Sequence, residues 1–467
     1  MKRVIGFDGR LTSLAGPYTG MKVKAARVKV AEDLTAKGLM DHVDTSYVHT
    51  VGVCYKCGTV LEPLPIPQWY VKTKPLAEKA MDAVTAKKTV IKPLKRFETM
   101  YFNWLENILD WNISRQVVWG PRIPVWYCLD CNPDIHLSFI ATDGAKISGT
   151  FYEVKTAHTV KDITTGIQTV MAPIGAKYSL DPSACTICGS TNVIQETDTF
   201  DTWFLSSQWP YTTLGFPDSA DFKYFYPTSV LDTMWDILFF WVGRMMMMGL
   251  YRTGNVPFEV VHLHSRVVDA KGQKMSKSKS NVMNPIEMVD TYGADALRFA
   301  LIFGAAPGSD ISISDDKVRG MRNFANKLWN IARFITLNLE APNSKHQIPI
   351  YDETLHKQLK NPGDKRIISE MNMLTAGVTK DIERYRFSDA AQKLYDFTWH
   401  TLADVYLEKN KDRLKIGDAQ AIAVVRHVFM TILKLLHPFM PFVTEALYQK
   451  IPGWDGVPLI ISPWPGK

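Results

Sequence analysis

Lysines and small hydroxyl residues alternate in one short stretch, Lys274-Met275-Ser276-Lys277-Ser278-Lys279. An apolar, strand-like run at residues 260–263 precedes this stretch, and residues 269–272 have the composition of a turn. Small residues make such a loop mobile, and lysine ammonium groups are compact charges that can follow a polyphosphate as it moves. The stretch therefore indicates phosphate chemistry, although a generic run of this kind is more often a solvated basic loop.

All six cysteines fall into C-x-x-C pairs, the spacing of a zinc knuckle. In a long chain without a secretion signal, such pairs indicate metal binding rather than disulfides. We expect one structural Zn²⁺ to be held by four thiolates, with a metal-free remnant as the alternative; the ligands are Cys128, Cys131, Cys185 and Cys188. Asn132 and Gly189 follow these pairs, and both tolerate the left-handed backbone that a knuckle turn favours.

Cys54 and Cys57 form the remaining pair, and no further C-x-x-C pair is left to complete their site. Two ligands make a poor closed zinc site, because structural zinc takes four. This pair is therefore either half of a second metal site or a vestige with two free thiols.

The overall composition is that of an ordinary globular protein. The chain has 467 residues, of which 46% are hydrophobic and 22% charged, enough for two to four domains. A net charge of +7 permits a nucleic-acid partner without demanding one. The longest apolar run, residues 237–250, is interrupted by Arg244, and the first residues lack the apolar core of a signal peptide. We therefore expect no membrane partner and a cytoplasmic location.

The hydrophobic pattern changes along the chain. Residues 4–7 and 47–53 are strand-like, residues 22–37 predict a helix, and the alternation at 148–160 predicts an inserted hairpin or small sheet. After residue 304 the strand signals fade and helical periodicity takes over. The pattern there predicts an antiparallel bundle of long helices, at residues 314–339, 365–384, 388–409 and 419–436.

Several motifs resemble one enzyme family. The K-M-S-K-S stretch, preceded by H-x-x-x-x-D-x-x-G and followed by Asn281, resembles the second signature of class I aminoacyl-tRNA synthetases. Residues 103–128, NWLENILDWNISRQVVWGPRIPVWYC, and residues 201–215 are similar to the valyl and isoleucyl group. DILFFWVGRM at residues 236–245 and RNFANKLWNIARF at residues 322–334 favour the valyl branch.

This resemblance implies a multidomain fold. We expect the second half of an α/β, Rossmann-like catalytic domain with a zinc-ribbon insertion, an all-α anticodon-binding bundle, and a short β-rich remnant of an editing domain at the N-terminus. The implied boundaries are 1–67 for the remnant, 68–303 for the catalytic part with its ribbon at 128–190, 304–340 for a connecting helical segment, and 341–467 for the bundle.

The resemblance also implies an activity, the ATP-dependent activation of valine to valyl-adenylate and its transfer to tRNA(Val). Phosphoryl chemistry of this kind needs positioned cations, so Lys274 and Lys277 are expected to act together with Mg²⁺. Further ATP contacts are expected from residues in or near the same loop, namely His264, Ser276 and Ser278.

Amino-acid recognition is expected from Trp203, Asp236, Ile237 and Trp241. In this interpretation the carboxylate holds the substrate ammonium, while two indoles and an isoleucine form a small apolar box. Ile237 and Trp241 are four positions apart and would share one face of an α-helix. The alternative is a core helix with a capping aspartate.

The first signature of the family, H-I-G-H, has no counterpart in the 467 residues. The resemblance therefore implies a partner, an N-terminal half that carries H-I-G-H, the editing domain and a second cysteine pair for Cys54 and Cys57. Two alternatives stay open, an isoleucine–tRNA ligase and a non-catalytic tRNA-binding fragment. Two motifs argue against the isoleucyl branch, D-I-x-F-F-W and N-F-A-N-K-L-W.

Overall fold

The computed structural model describes most of the chain, at residues 4–6, 8–54, 57–62, 64–275, 281–306, 308–339, 351–452, 454 and 456–466. These residues fall into two compact units. Unit 1 comprises residues 1–71 and 111–201, and unit 2 comprises residues 72–110 and 202–467. Each unit is described by itself.

Unit 1 is built from short antiparallel strands. Trp126–Cys128 is the central strand of one three-stranded sheet and pairs with Val193–Gln195 and with Tyr178–Ser179. There are two smaller ladders. In one, Tyr70–Val71 pairs with Trp111–Asn112, and in the other, Ser114–Arg115 pairs with Thr199–Phe200. These pairings bring the two ends of the segment 126–195 together.

The insertion between the cysteine pairs forms its own sheet, as the alternating pattern predicted. His136–Ile140 lies between Lys146–Thr150 and Ile167–Met171, and all neighbours are antiparallel. The boundaries differ from the prediction, because residues after Thr150 are helical, at Phe151–Val154 and Val160–Gly166. Both helices begin at a threonine that forms a capping box, a local signal that outweighs the alternation of apolar residues.

The prediction of a β-rich N-terminal segment is wrong for the described residues. They contain a 3₁₀-helix at Ser13–Tyr18 and the predicted helix at Val23–Ala36, but only isolated bridges such as Ile5 to Leu11 and Val53 to Val60. A strand needs a neighbour for its backbone hydrogen bonds. Among the described residues no strand or bridge forms at 47–52, where only the Gly52 carbonyl accepts a backbone hydrogen bond, from Leu61, and Val48 is 90% exposed.

Unit 2 contains a three-stranded parallel sheet with the order Thr228–Met234, Phe258–His264, Val90–Lys92. Its core takes side chains from the helices Lys74–Thr85, Lys95–Glu106 and Arg244–Thr253. Three short helices, Thr202–Ser206, Trp209–Thr212 and Ala220–Phe225, belong to the same unit. Pro285–Tyr292 and Ala294–Ile302 pack instead against the helix Asp315–Leu339. A short parallel ladder joins Val267–Val268 to Ile311–Ser312. This is the α/β arrangement expected for half of a Rossmann-like domain.

A helical bundle forms the rest of unit 2. It contains α-helices at Asp315–Leu339, Glu353–Gln358, Pro362–Glu383, Phe387–Asp396, Glu408–Lys415, Ala419–Leu436 and Pro441–Tyr448, a π-helix at Phe397–Leu407 and a 3₁₀-helix at Leu459–Ile461. The predicted bundle is confirmed, and the predicted bounds 419–436 agree with the structure. Ala419–Leu436 is apolar and long enough to cross a membrane, but 61% of it is buried inside the protein, as in a core helix.

The two units divide the chain at other residues than the domain boundaries that the family resemblance implies. Residues 111–201 belong to the same unit as the N-terminal segment, and residues 202–303 belong to the same unit as the bundle. The division at residues 67, 303 and 340 stays a prediction.

One half-buried histidine is expected to make the stability of the bundle depend on pH. Burial, together with the neighbouring charges of Arg426 and Lys434, lowers the pKa of His427 to about 4. Its ring lies 4.4 Å from the ring of Tyr351. Below pH 6.5 the unfolded chain binds a proton that the folded chain excludes, so the free energy of unfolding is expected to fall by up to about 3 kcal/mol between pH 6.5 and pH 4.

Urea unfolding followed by far-UV circular dichroism at several pH values checks this expectation. His427→Gln should flatten the dependence on pH, whereas His400→Gln, at a mostly exposed histidine, should leave it unchanged. An unaltered slope in the His427 variant would contradict the assignment.

Candidate active site and candidate metal centre

Polar side chains of unit 2 gather where parallel strands end. Thr228–Met234 runs directly into a 3₁₀-turn, Trp235–Ile237, which carries Asp236. The neighbouring strand ends at His264, directly opposite Met234 in the ladder. Ligands of open α/β sheets bind at the carboxyl ends of the strands. This edge is therefore the candidate active site.

Asp236 has one paired and one unpaired oxygen. Its Oδ2 lies 3.5 Å from Nζ of Lys274 and 4.0 Å from Nη1 of Arg266. Its Oδ1 is buried and accepts no hydrogen bond from the described residues. An uncompensated buried oxygen costs free energy unless a ligand supplies a donor. The carboxylate is therefore arranged to receive one more cationic or hydrogen-bonding group.

Arg266 lies beside the Asp236 carboxylate, and the sequence did not suggest it as a site residue. Its Nη2 lies 2.6 Å from Oδ2 of Asp310, and its guanidinium carbon lies 5.6 Å from the centre of the Trp235 ring. The hydrogen bond to Asp310 raises the pKa of Arg266, so the guanidinium stays charged. The only feature of the sequence that could have indicated Arg266 as a site residue is its position two residues after His264.

The segment after Asp236 is helical, but its type differs from the prediction. Leu238–Gly243 is a π-helix, and an α-helix begins only at Arg244. The argument that Ile237 and Trp241 share an α-helical face therefore does not apply. Single turns of π-helix are frequent at functional sites. A side chain at Gly243 would lie 3.1 Å from the Trp104 indole, so this glycine permits the close packing.

The predicted indoles each contact a second aromatic ring. The centre of the Trp203 ring lies 6.0 Å from that of Phe240, and the Trp241 ring lies 6.1 Å from that of Trp209. Ile237 lies beside Asp236 in the 3₁₀-turn. The sequence did not suggest Phe240 and Trp209 as site residues. Both lie in aromatic-rich stretches, where nothing marks them out from the neighbouring aromatic residues.

The base of the lysine-rich loop is fixed by Asp269. Its Oδ1 accepts hydrogen bonds from the backbone N–H groups of Lys271 (2.9 Å) and Gln273 (2.8 Å), and its Oδ2 accepts one from Asn281 (2.9 Å). These bonds lower the pKa of Asp269, the one from Asn281 most strongly. The predicted turn at 269–272 is confirmed, with Gly272 at a φ of 74°. Ser276, Lys277 and Ser278 lie outside the described residues.

Two histidines on one strand face an aspartate that the sequence did not suggest. Nδ1 of His262 donates to Oδ1 of Asp232, and Nε2 of His264 lies 3.8 Å from Oδ2 of the same carboxylate. His264 also donates from Nδ1 to the Ser265 carbonyl, at 2.9 Å. The signal was the H-x-H spacing, which puts both rings on the same face of a strand. A cavity of about 450 Å³ borders these residues.

In unit 1 the four predicted cysteines come together. Their sulfur atoms all lie within 4.8 Å of one another, and three of the separations are 3.6 Å for Cys128–Cys188, 3.9 Å for Cys131–Cys185 and 3.4 Å for Cys131–Cys188. A tetrahedral zinc ion with Zn–S bonds of about 2.3 Å needs sulfurs about 3.8 Å apart. The donor set therefore fits zinc.

The two knuckle turns close in different ways. Gly189 has a φ of 73°, as predicted, and donates to the Cys185 carbonyl at 2.9 Å. Asn132 does not adopt the left-handed backbone that its residue type would tolerate. Its side-chain amide instead donates to the Cys128 carbonyl at 2.7 Å. Backbone N–H groups of Cys188 and Ile187 lower the pKa of the Cys185 thiol to about 7.

Cys54 and Cys57 form a similar turn. Gly58 has a φ of 70° and donates to the Cys54 carbonyl at 2.8 Å, as Gly189 does to Cys185. Among the described residues, no other histidine, cysteine or carboxylate completes a group of three around this pair. The second metal site stays a prediction.

Two family models match this chain. Residues 18–314 match the model described as tRNA synthetases class I (I, L, M and V), and residues 364–467 match the model of the anticodon-binding domain of tRNA ligase. The second match coincides with most of the bundle in unit 2.

Curated relatives cover nearly the whole chain. A protein named valine–tRNA ligase from Geobacter sulfurreducens is 43% identical over 456 residues, which is 97% of this chain and 46% of the relative. One of the same name from Clostridium acetobutylicum is 41% identical over 98% of this chain and 47% of the relative. The chain therefore spans about half the length of the curated relatives it matches.

Solved structures support the same fold at low identity. A Mycobacterium tuberculosis methionyl-tRNA synthetase in complex with methionyl-adenylate matches with a TM-score of 0.58 and 16% identity, over 88% of this chain and 70% of that one. An Agrobacterium radiobacter LeuRS in a ternary complex with tRNA and LeuAMS matches with a TM-score of 0.53 and 20% identity, over 77% and 42%. With 297 residues within the first family model, 18–314, this chain belongs to the class I tRNA synthetases of the isoleucyl, leucyl, methionyl and valyl group.

Proposed function

We propose that this chain supplies the lysine-loop half of a valine–tRNA ligase. The reaction is the ATP-dependent activation of valine to valyl-adenylate and the transfer of valine to tRNA(Val). The observation that carries the proposal is the identity of 41–43% to proteins named valine–tRNA ligase over at least 97% of this chain. The proposed partner is the region that corresponds to the other half of these relatives, an N-terminal half with the H-I-G-H signature and the editing domain, since this chain spans 46% of the relative's length.

Asp236 is proposed to bind the ammonium group of valine. Its Oδ1 is buried without a hydrogen bond from the described residues, and Oδ2 already faces Lys274 and Arg266. An ammonium group at Oδ1 would satisfy the remaining oxygen. Trp203, Ile237 and Trp241, with Phe240 and Trp209 behind the indoles, would form apolar walls for a small branched side chain.

Lys274 and Lys277 are proposed to bind the phosphates of ATP, and His264, Ser276 and Ser278 to complete the nucleotide site. Attack of the valine carboxylate on the α-phosphate forms the adenylate and releases pyrophosphate, so negative charge grows on phosphate oxygens. Mg²⁺, when bound to the nucleotide, supplies further charge stabilisation. Lys274 reaches the carboxyl edge of the sheet, where its ammonium lies near Asp236.

Zinc is proposed to be structural. The ligands would be Cys128, Cys131, Cys185 and Cys188, whose separations suit a closed tetrahedral site. Cys54 and Cys57 would form half of a second site that a cysteine pair of the N-terminal half completes. The bundle at residues 364–467 would bind the anticodon region of tRNA(Val), and we expect the protein to act in the cytoplasm with the rest of translation.

Valine-dependent exchange between ATP and labelled pyrophosphate tests the proposal. The chain is assayed alone and mixed with the N-terminal half of a relative, with isoleucine as the competing substrate. We expect exchange only in the mixture and only with valine. The Lys277→Ala variant should abolish it. Retained tRNA binding without exchange in either preparation would instead favour a non-catalytic tRNA-binding fragment, and a preference for isoleucine would favour the isoleucyl activity.

A further inference from the structure

A cavity of about 930 Å³ lies within unit 1, and none of the four clustered cysteines lines it. The strand Ile167–Met171 and the segment 64–70 form much of its wall. Most of the lining is apolar or aromatic and includes Ile66, Trp69, Tyr70, Ile174 and Tyr178. A mostly apolar wall of this kind is typical of sites for ligands with an apolar body.

Two buried carboxylates line the same cavity. Glu196 is 4% exposed and fully bonded, because its oxygens accept from the Trp69 indole at 3.2 Å, the Tyr127 hydroxyl at 2.9 Å and the backbone N–H groups of residues 197 and 198. Asp198 is 9% exposed. Its Oδ2 accepts from Nε2 of Gln116 at 2.7 Å, whereas Oδ1 accepts no hydrogen bond from any residue that the structure describes.

No lysine, arginine or histidine lines this cavity within the described ranges, and neither carboxylate forms an ion pair there. A buried carboxylate without a counter-charge is costly, and proteins normally pair it. Burial and the charge of Glu196 raise the pKa of Asp198 to about 6. Two negative charges without a cation repel phosphate groups, so the cavity suits neither ATP nor an RNA backbone.

We propose that this cavity binds an aliphatic ammonium group, carried by a free polyamine or by a lysine side chain. The ammonium group pairs with Oδ1 of Asp198, and the methylene stem lies against the apolar wall. Ring faces of the kind offered by Trp69, Tyr70 and Tyr178 attract organic cations. The site belongs to unit 1 and does not depend on the proposed ligase activity.

Titration calorimetry of the whole chain at pH 7.5 tests the site with two probes, spermidine and N-acetyl-lysine methylamide. The neutral N-acetyl-norleucine methylamide serves as the uncharged control. We expect a dissociation constant below about 1 mM for at least one amine, weakened at least tenfold by Asp198→Asn and retained within about threefold by Asp198→Glu. Binding of both amines identifies lysine side chains as a source, and binding of spermidine alone identifies a free polyamine.

Asp134→Asn is the matched control, because Asp134 is an exposed carboxylate of the same unit outside the cavity. It should leave binding unchanged. The net charge of +7 works against non-specific attraction of amines. No binding of either amine at 10 mM, equal binding of the norleucine control, or equal losses in both asparagine variants would overturn the proposal.

A second measurement follows proton release. Burial raises the pKa of Asp198 to about 6, so part of its carboxyl groups carry a proton in mildly acidic solution, and an ammonium partner displaces it. The other titratable groups facing the cavity are Glu196 and the tyrosines at 70, 127 and 178. Calorimetry in buffers of different ionisation enthalpy should show proton release on amine binding at pH 6 that is absent at pH 8. Equal proton exchange at both pH values, or release that persists in Asp198→Asn, would place the amine elsewhere and overturn the proposal.

Discussion

Replacing Asp236 with asparagine is expected to lower kcat/KM for valine-dependent pyrophosphate exchange by about 100- to 1,000-fold, in the chain mixed with its N-terminal half. The variant keeps the shape of the side chain but removes the charge that we assign to the substrate ammonium. Loss of one partner of a buried charge pair costs about 3–4 kcal/mol, and each 1.36 kcal/mol is a factor of ten in rate. The KM for valine should rise more than the KM for ATP.

Asp310→Asn is the matched control for this experiment. Asp310 pairs with the same arginine, Arg266, at 2.6 Å, but it has no buried oxygen left without a partner. Its loss should cost less than tenfold. If Asp236→Asn changed exchange by less than about threefold, or if both variants lost activity equally, Asp236 would be a structural residue rather than the ammonium ligand.

Removing zinc is expected to destabilise unit 1 by several kcal/mol. Binding of structural zinc contributes about 10–16 kcal/mol of apparent free energy in zinc-finger peptides, and part of this should appear as folding stability here. The purified chain should contain about one zinc ion, measured by mass spectrometry. Cys185→Ser should lose this ion and unfold at a lower temperature, because the strands Trp126–Cys128 and Val193–Gln195 pair next to the cysteines.

Cys57→Ser provides the control, since Cys57 lies in a similar knuckle turn but has no group of metal ligands around it in the described part of the chain. It should keep the zinc ion and the unfolding temperature of the unaltered chain. A chain that is free of zinc and equally stable with and without a chelator would refute the structural role.

Local sequence signals determined most helices of the bundle. The helix Ala419–Leu436 begins after Asp418, whose side chain accepts from the N–H groups of residues 420 and 421, and ends before Pro438. Such caps and breakers act within a few residues, so they can be read without the fold. The strand prediction at 47–53 failed because a strand depends on a distant neighbour.

The four consecutive methionines show what packing adds. Met245, Met246 and Met247 are buried in the core around the parallel sheet, whereas Met248 is buried in a separate cluster with Tyr211 and Tyr226. Consecutive residues of a helix point in different directions, so one core is not expected to take all four. Only the packing of the surrounding elements decided that a second cluster receives the last of them.

The sequence by itself determined the family, the four-cysteine group, the turn at residues 269–272 and the helical bundle, because motifs, spacing, caps and periodicity are local properties of a chain. The tertiary structure alone decided that Lys274 and Arg266 meet Asp236, that Asp232 faces two histidines, and that Asp198 lines a cavity where no described residue offers it a positive charge. These groups are far apart in sequence or buried by distant segments. Their charges and hydrogen bonds depend on which strands lie side by side, and no short stretch of sequence encodes that.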